Sequence, residues 1–463
     1  MHEKCVNHIV IVGGGSSGWL TAAGISNKIP GVRLTVVDKE EPEIVGVGEA
    51  TILGFVNYMN ECGFPQHEWM SATDVVLKGG ILFPDWGTDG NNIWHPFYFF
   101  GGEYPMIDAW SNNQDIPFHR ALPLSESTLR GTINTQKLES YAILLDCGKL
   151  VKYIQTKISD KVKYVNSSVE QLKDDTLYLK NGNKIEADLF IDCSGFKRLL
   201  KQTDTVELTD RLFCDTAVAG HIPYKNESEN HPYVVCPAVD HGWIWKIPLQ
   251  SRIGSGLVFN RQLTDPEEAK QYFVDYWDGR VDKDSLKLID WTPFYDKKPW
   301  DKNVISIGLS SGFIEPLEST GLGITIEQID HIIKCLMSRY YSKNDIDLYN
   351  NIVHTLFETC IDFVNMHYSK STKDTKFWRY VRDNYKMSDL QKIYLDNLQN
   401  SMEPSFMEYK GFIFGGTNWL HWLVQLGFPI KPKTYRKFDR NSIPNFTDDG
   451  YVTSPEFTRN YFK

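Results

Sequence analysis

Apolar and polar positions along the chain predict an alternating start. His8-Ile9-Val10-Ile11-Val12 is a continuous apolar run, as expected of a parallel strand buried on both faces. A glycine turn, Gly13 to Gly18, follows it. Trp19 to Ile29 has helical character, Pro30-Gly31 stops it, and Arg33 to Val37 reads as a second strand ending in Asp38. The first forty residues therefore form a βαβ unit. Beyond it, Val45 to Thr51 is too glycine-rich for a regular element. Ile52, Phe55, Val56 and Met59 then recur at helical spacing along one face.

Further along, Phe83 to Trp110 is aromatic and rich in Gly and Pro, and reads as a long irregular loop or cover over a site. Short strands are expected at Val162–Val165, Thr176–Leu179 and Lys184–Ile185, with Asn181-Gly182 as a two-residue hairpin signal. Leu189–Asp192 reads as another buried strand, as do Trp243–Leu249, Gly256–Phe259 and Val304–Leu309. From about Thr325 to Gly427 the pattern is mainly helical. The expected fold is mixed α/β. A Rossmann-like module (1–335) carries an inserted β-sheet region (about 83–300), and a mainly helical part (336–463) covers it.

Composition narrows the class. The chain has 463 residues and a formal net charge of −10 with no basic block, so nucleic acid is not an expected partner. Its eight cysteines are scattered, without C-x-x-C pairs or metal spacing with histidine, so no metal site is expected. The N-terminus runs into a strand without a signal-peptide layout, and no apolar stretch is long enough to span a bilayer. A soluble, cytoplasmic chain is the expectation. Thirteen tryptophans fit either an aromatic-rich core or a pocket for a planar ligand.

Gly13-x-Gly15-x-x-Gly18 lies between a strand and a helix. In that context the glycines allow a tight turn and close approach of a pyrophosphate, and the helix start, with Ser16 and Ser17, offers free N–H groups. Asp38 lies where a carboxylate can accept hydrogen bonds from ribose hydroxyls. A β-meander follows, then a late small-residue strand end, Ile307-Gly308-Leu309-Ser310-Ser311-Gly312. That layout favours FAD over a nicotinamide.

Three segments carry more specific chemistry. Trp243-Ile244-Trp245-Lys246-Ile247-Pro248 follows Gly242. Gly312-Phe313-Ile314-Glu315-Pro316-Leu317-Glu318-Ser319-Thr320-Gly321 precedes a helix. Thr73 to Ile81 sets Lys78 between apolar residues and two glycines. Taken singly they have plainer readings: two core tryptophans on one strand face, helix capping by Ser319 with Glu318 in the first turn, and a surface lysine. Together they resemble the flavin-dependent halogenases, close to the tryptophan-halogenase branch. Lesser matches include Gly46-Val47-Gly48-Glu49-Ala50-Thr51, Asp192 to Phe196, and Asp362-Phe363-x-x-x-His367-Tyr368; coverage runs from residue 8 to about 380.

The resemblance implies an enzyme that uses reduced FAD, O₂ and halide to make hypohalous acid. That acid would halogenate an electron-rich aromatic, indole-like or phenolic. Lys78, Glu318 and Ser319 would be catalytic, and backbone groups of Thr320 and Gly321 would hold halide. Trp243, Trp245, Ile247 and Pro248 would lie near the flavin and keep organic substrate from it. Val47, Ala50 and Leu309 would join the cofactor site. A separate flavin reductase is implied as partner. Two other readings are an aromatic flavin monooxygenase, which needs neither halide nor the two tryptophans, and a flavin-binding scaffold with a degenerate site.

Overall fold

The computed structural model describes residues 4–39, 48–97, 118, 125–134, 141–201, 203–400, 413–429 and 451–453. Val47 and much of the aromatic stretch lie outside these residues.

The apolar run His8–Val12 is the fully buried strand its composition requires. It pairs in parallel with Arg33–Asp38 on one side and Leu189–Asp192 on the other. Val162–Asn166 extends the sheet beyond Arg33–Asp38, and Val304–Ser306 extends it beyond Leu189–Asp192. Antiparallel Trp300–Asp301 closes the far edge of the six strands. In such a sheet, ligands sit beyond the carboxyl ends of the strands. The glycine turn, Asp38, Cys193 and Gly308 all fall at those ends. The helix Ser16–Lys28 leaves the glycine turn and lies against the sheet with Trp19 to Ile25 buried.

A second, larger sheet holds the strands Thr216–Ile222, Ile253–Phe259 and Gly242–Pro248, which pair antiparallel in that order. Val234–Val235 links it to Gly80–Phe83 and Ile93–Pro96. Part of the stretch expected as irregular is thus a strand. Ile93–Pro96 is fully buried and antiparallel to Gly80–Phe83, with His95 opposite Ile81. Its ladder partner lies before it in the chain, which a reading of its own Gly and Pro content could not reveal.

A small third sheet sets Glu49–Ala50 and Val76–Lys78 on either side of Ala142–Leu145. Lys78 is therefore the last residue of one strand, and Gly80 opens the next in another sheet. A side chain at Gly80 would meet the Trp94 ring at 2.4 Å and the His95 carbonyl oxygen at 2.7 Å, so only glycine fits.

The expected hairpin across Asn181-Gly182 is present, with Thr176 paired to Glu186. An additional strand, Val169–Lys173, completes a three-stranded meander. The helical part begins earlier than expected, at Thr320. It comprises Thr320–Leu336, Lys343–His367, Lys376–Asn384, Asp389–Asn400 and Gly416–Gln425. One cluster of buried side chains runs from Val6 to Leu426 and joins both large sheets to these helices. All eight cysteines are free thiols. Among the described residues no helix is long and apolar enough to cross a membrane.

Candidate active site

A cavity of about 1060 Å³ begins at Gly13–Ser17 and Asp38 and ends at Glu318, Ser319, Thr320 and Gly321. That is at the upper end of the roughly 300–1,000 Å³ typical of small-molecule sites. The glycine turn forms one end. Gly13 has φ +113°, and a Cβ there would lie 2.2 Å from the Cys193 carbonyl oxygen; one on Gly18 would lie 1.9 Å from that of Gly13. These two glycines are needed by the protein itself. Gly15 differs: a Cβ there would meet nothing within 4 Å, so the backbone faces open space. Gly15 is also the N-cap of the helix, and no side chain caps it. The first N–H groups of a helix lack acceptors within the helix and favour an anion.

Lys78 stands behind Ser319 at the other end. Its side chain is fully buried, and Nζ donates to the Thr51 carbonyl at 2.8 Å and to Ser319 Oγ at 3.0 Å. Nζ also lies 3.7 Å from the centre of the Phe97 ring. Thr51 is fixed by its own bonds to the strand beside it. Its N–H donates to the Ile143 carbonyl, and its Oγ1 accepts from the Ile143 N–H. Burial brings the Lys78 amine down to about 7, against the opposing charge of Glu318.

Glu318 and Ser319 both take left-handed backbone angles, φ 61° and 63°. This kink turns Glu318 into a shell of donors. His95 Nδ1 lies 2.8 Å from Oε2, His367 Nε2 lies 2.7 Å from Oε1, and Trp422 Nε1 donates to Oε1 at 2.9 Å. Asn418 holds the far side of the His95 ring, Nδ2 to Nε2 at 2.9 Å. Burial would raise the Glu318 carboxyl, but the charges and hydrogen bonds of His95 and His367 hold it well below the usual carboxylate range. The site thus sets a mobile-proton amine and a fixed carboxylate on two sides of Ser319.

A family profile described as tryptophan halogenase matches residues 8–442. The chain belongs to the tryptophan halogenase family. It is a flavin-dependent halogenase, an enzyme that uses reduced FAD to halogenate an aromatic substrate. Tryptophan 6-halogenase ThaL of Streptomyces albogriseolus is 27% identical over 422 residues, covering 81% of this chain and 79% of that one. Tryptophan 7-halogenase KtzQ of Kutzneria sp. is 28% identical over 425 residues, covering 83% and 80%. Among solved structures, Xcc4156, a flavin-dependent halogenase from Xanthomonas campestris, superposes with TM-score 0.86 at 25% identity over 99% of both chains.

The residues of the halogenase fit FAD on its own geometry. The open face of Gly15 and the uncapped helix start suit a pyrophosphate, and Ser16, Ser17, Ala50 and Leu309 line the same cavity. Asp38 lines it too, while Oδ2 accepts from the Gly14 N–H at 2.7 Å and Oδ1 from the Lys39 N–H. A carboxylate has about four lone-pair sites, so bracing the turn leaves capacity for a ribose hydroxyl.

In the Gly242–Pro248 strand, Trp245 and Ile247 line the cavity. The Trp245 ring lies against Gly256, its ladder partner, where a Cβ would approach ring carbons to 2.2 Å. Trp243 is packed behind it, 6.2 Å between ring centroids, and Pro248 ends the strand against Ile253. Ser319 stands at the N-cap of its helix but makes no side-chain cap bond. Its hydroxyl faces Lys78 instead, so helix capping does not account for it.

Sequence reasoning assigned no role to His95, Trp422, Asn418 or Glu315. His367 was visible only within the Asp362–Tyr368 match, as a matched letter without a task.

Proposed function

We propose that this halogenase acts on an electron-rich aromatic, indole-like or phenolic, with hypohalous acid guided to Lys78 and Glu318. Halide and O₂ are its co-substrates, and bound reduced FAD supplies the electrons that activate O₂. Gly13, Gly15, Ser16, Ser17 and Gly18 hold the pyrophosphate and Asp38 the ribose. Ala50 and Leu309, with Val47, hold the flavin end. The N–H groups of Thr320 and Gly321 hold halide beside it. Trp245 and Ile247, backed by Trp243 and Pro248, close that space to organic substrate. Residues 1–335 form the FAD-binding module with its inserted sheet region, about 83–300. Residues 336–463 form the cover over the aromatic site. A separate flavin reductase provides the reduced cofactor.

The observation that carries this reading is the placement of Ser319. It lines the cavity that begins at the glycine turn, and its hydroxyl is 3.0 Å from the Lys78 amine. An oxidant leaving the halide end along that wall reaches Ser319, whose hydroxyl leads to the amine behind it. With the Lys78 amine near 7, it donates a hydrogen bond to the oxidant as an ammonium or attacks it as a free amine. Glu318, held as an anion, accepts the proton that the ring loses on substitution. The relatives named for tryptophan put indoles first among candidate rings.

The test is a mass-resolved assay with reduced FAD, O₂ and bromide on a panel of indoles and phenols. Products heavier by bromine in place of hydrogen are expected. Products heavier by one oxygen would replace this reading with a monooxygenase. No product from any ring would count against a working site.

A further inference from the structure

Glu315 and Glu318 sit on one segment in opposite chemical settings. Glu318 is ringed by donors. Glu315 is fully buried and lines the cavity, and the steps described above do not use it. Its Oε1 accepts a hydrogen bond from the Tyr368 hydroxyl at 2.8 Å, while Oε2 has no hydrogen-bond partner.

The groups facing Glu315 come from three elements. Tyr368 follows the helix Lys343–His367. Cys214, with Sγ 3.6 Å from the Tyr368 hydroxyl, precedes the strand Thr216–Ile222. Trp243 presents its ring nitrogen from the strand Gly242–Pro248. None of the three is a cation. Burial pushes both the Tyr368 phenol and the Cys214 thiol well up, so neither is an anion. An ionised Glu315 would be a buried charge with no counter-charge. Burial accordingly pushes its carboxyl up to about 8, against the Tyr368 donor. Since Tyr368 donates to Oε1, the acid's proton belongs on Oε2.

We propose that Glu315 is the acid that supplies the proton taken up when hypohalous acid forms at the flavin end of the cavity. This rests on the reading given under Proposed function. Net formation of the oxidant is reduced FAD plus O₂ plus halide plus one proton, giving FAD, hypohalous acid and water. The flavin gives two electrons and the halide two; together they reduce both oxygen atoms. One O–O bond breaks and one oxygen–halogen bond forms. Both flavin hydrogens and the added proton end in hypohalous acid and water. Glu318 cannot provide that proton, because its two histidine partners hold it ionised. Two carboxyls with opposed protonation then divide acid and base work between the two halves of the reaction.

The experiment compares wild-type protein with Glu315→Gln and Tyr368→Phe. In cofactor-free protein, infrared titration should show a protonated-carboxyl component lost as pH rises through about 8, apart from that of buried Glu49 near 7, and this component should be missing from Glu315→Gln. With reduced FAD, bromide and no aromatic substrate, trapped hypobromous acid should fall in Glu315→Gln by about 10²-fold or more, with hydrogen peroxide released instead. FAD and bromide affinity should be unchanged. Tyr368→Phe removes a donor that favours the ionised acid. It should shift both the band and the alkaline decline to higher pH, which keeps the proposal testable if Glu315→Gln does not fold. Wild-type yield of hypobromous acid from Glu315→Gln, a component near 8 that survives in that variant, or a Tyr368→Phe profile that does not move would overturn it. If the wild type itself makes no hypobromous acid, the reading beneath it fails as well.

Discussion

The amine of Lys78 and the hydroxyl of Ser319 lie 3.0 Å apart across 241 residues of sequence, and the same serine forms part of the wall of the glycine-turn cavity. Lys78 reaches the meeting point because its strand ends there, and Ser319 because its backbone is kinked. Replacing Lys78 with Ala should lower halogenation by about 10²- to 10⁴-fold. FAD affinity, read by flavin fluorescence, should stay the same, since Lys78 is not part of the cavity wall. An active Lys78→Ala enzyme would contradict its assignment.

The charge of Glu318 raises the Lys78 amine, working against burial. Glu318→Gln removes that charge, so the Lys78 titration midpoint should fall below about 7. A shift of roughly one unit corresponds to ~1.4 kcal/mol of lost interaction. Lysine-labelled protein followed by NMR reads the midpoint directly. A midpoint that stays put or rises would mean that the two side chains do not feel each other.

Glu318 depends on its histidines for its ionised form. His367→Leu leaves a buried carboxylate short of its 2.7 Å partner and should destabilise the cofactor-free protein by about 3–5 kcal/mol in denaturant unfolding. In the wild type the carboxyl is held below its ordinary 4.5, so the stability it contributes is present above that pH and lost only in stronger acid. In His367→Leu the carboxyl rises, and activity should decline as pH falls from neutrality. An unchanged acid profile would show that His367 is not what keeps Glu318 ionised.

The glycine turn separates folding from binding. A methyl at Gly18 would collide with the Gly13 carbonyl at 1.9 Å, whereas one at Gly15 meets nothing within 4 Å, at angles (φ −79°, ψ −170°) open to alanine. Gly18→Ala should cost about 1–3 kcal/mol of stability. Gly15→Ala should melt like the wild type yet bind FAD about tenfold more weakly or worse, a loss of ~1.4 kcal/mol. Equal FAD affinity in Gly15→Ala would mean that the pyrophosphate does not pass over that residue.

Local patterns announce what local forces decide. The apolar run from His8, the glycines behind it, the Asn181-Gly182 hairpin and the tryptophan pair on one strand face all follow from neighbouring residues. What the sequence hides is long-range. His95 reaches Glu318 through its register opposite Ile81, inside a stretch whose Gly and Pro content argues against a strand. Trp422 and Asn418 arrive on the helix Gly416–Gln425. That helix is fastened to the edge strand by Gln425, which bonds both the N–H and the carbonyl of Trp94. Val162–Asn166 looks like part of a meander but joins the parallel sheet, because its partner Arg33–Asp38 lies more than a hundred residues earlier. Glu315 and Glu318 are the same letter, and only their neighbours from distant elements tell the acid from the base.

The kink at Glu318 and Ser319 has a consequence for breeding tougher variants. Two successive non-glycine residues at positive φ each carry a penalty of about 1–2 kcal/mol. Glycine at either place would relieve it, and would delete the carboxylate or the hydroxyl in doing so. A screen that rewards heat tolerance alone is therefore drawn toward inert protein. Relief without loss lies at the exposed turn residue Asp174, at φ 52°, where glycine relaxes the same backbone and no chemistry depends on the side chain.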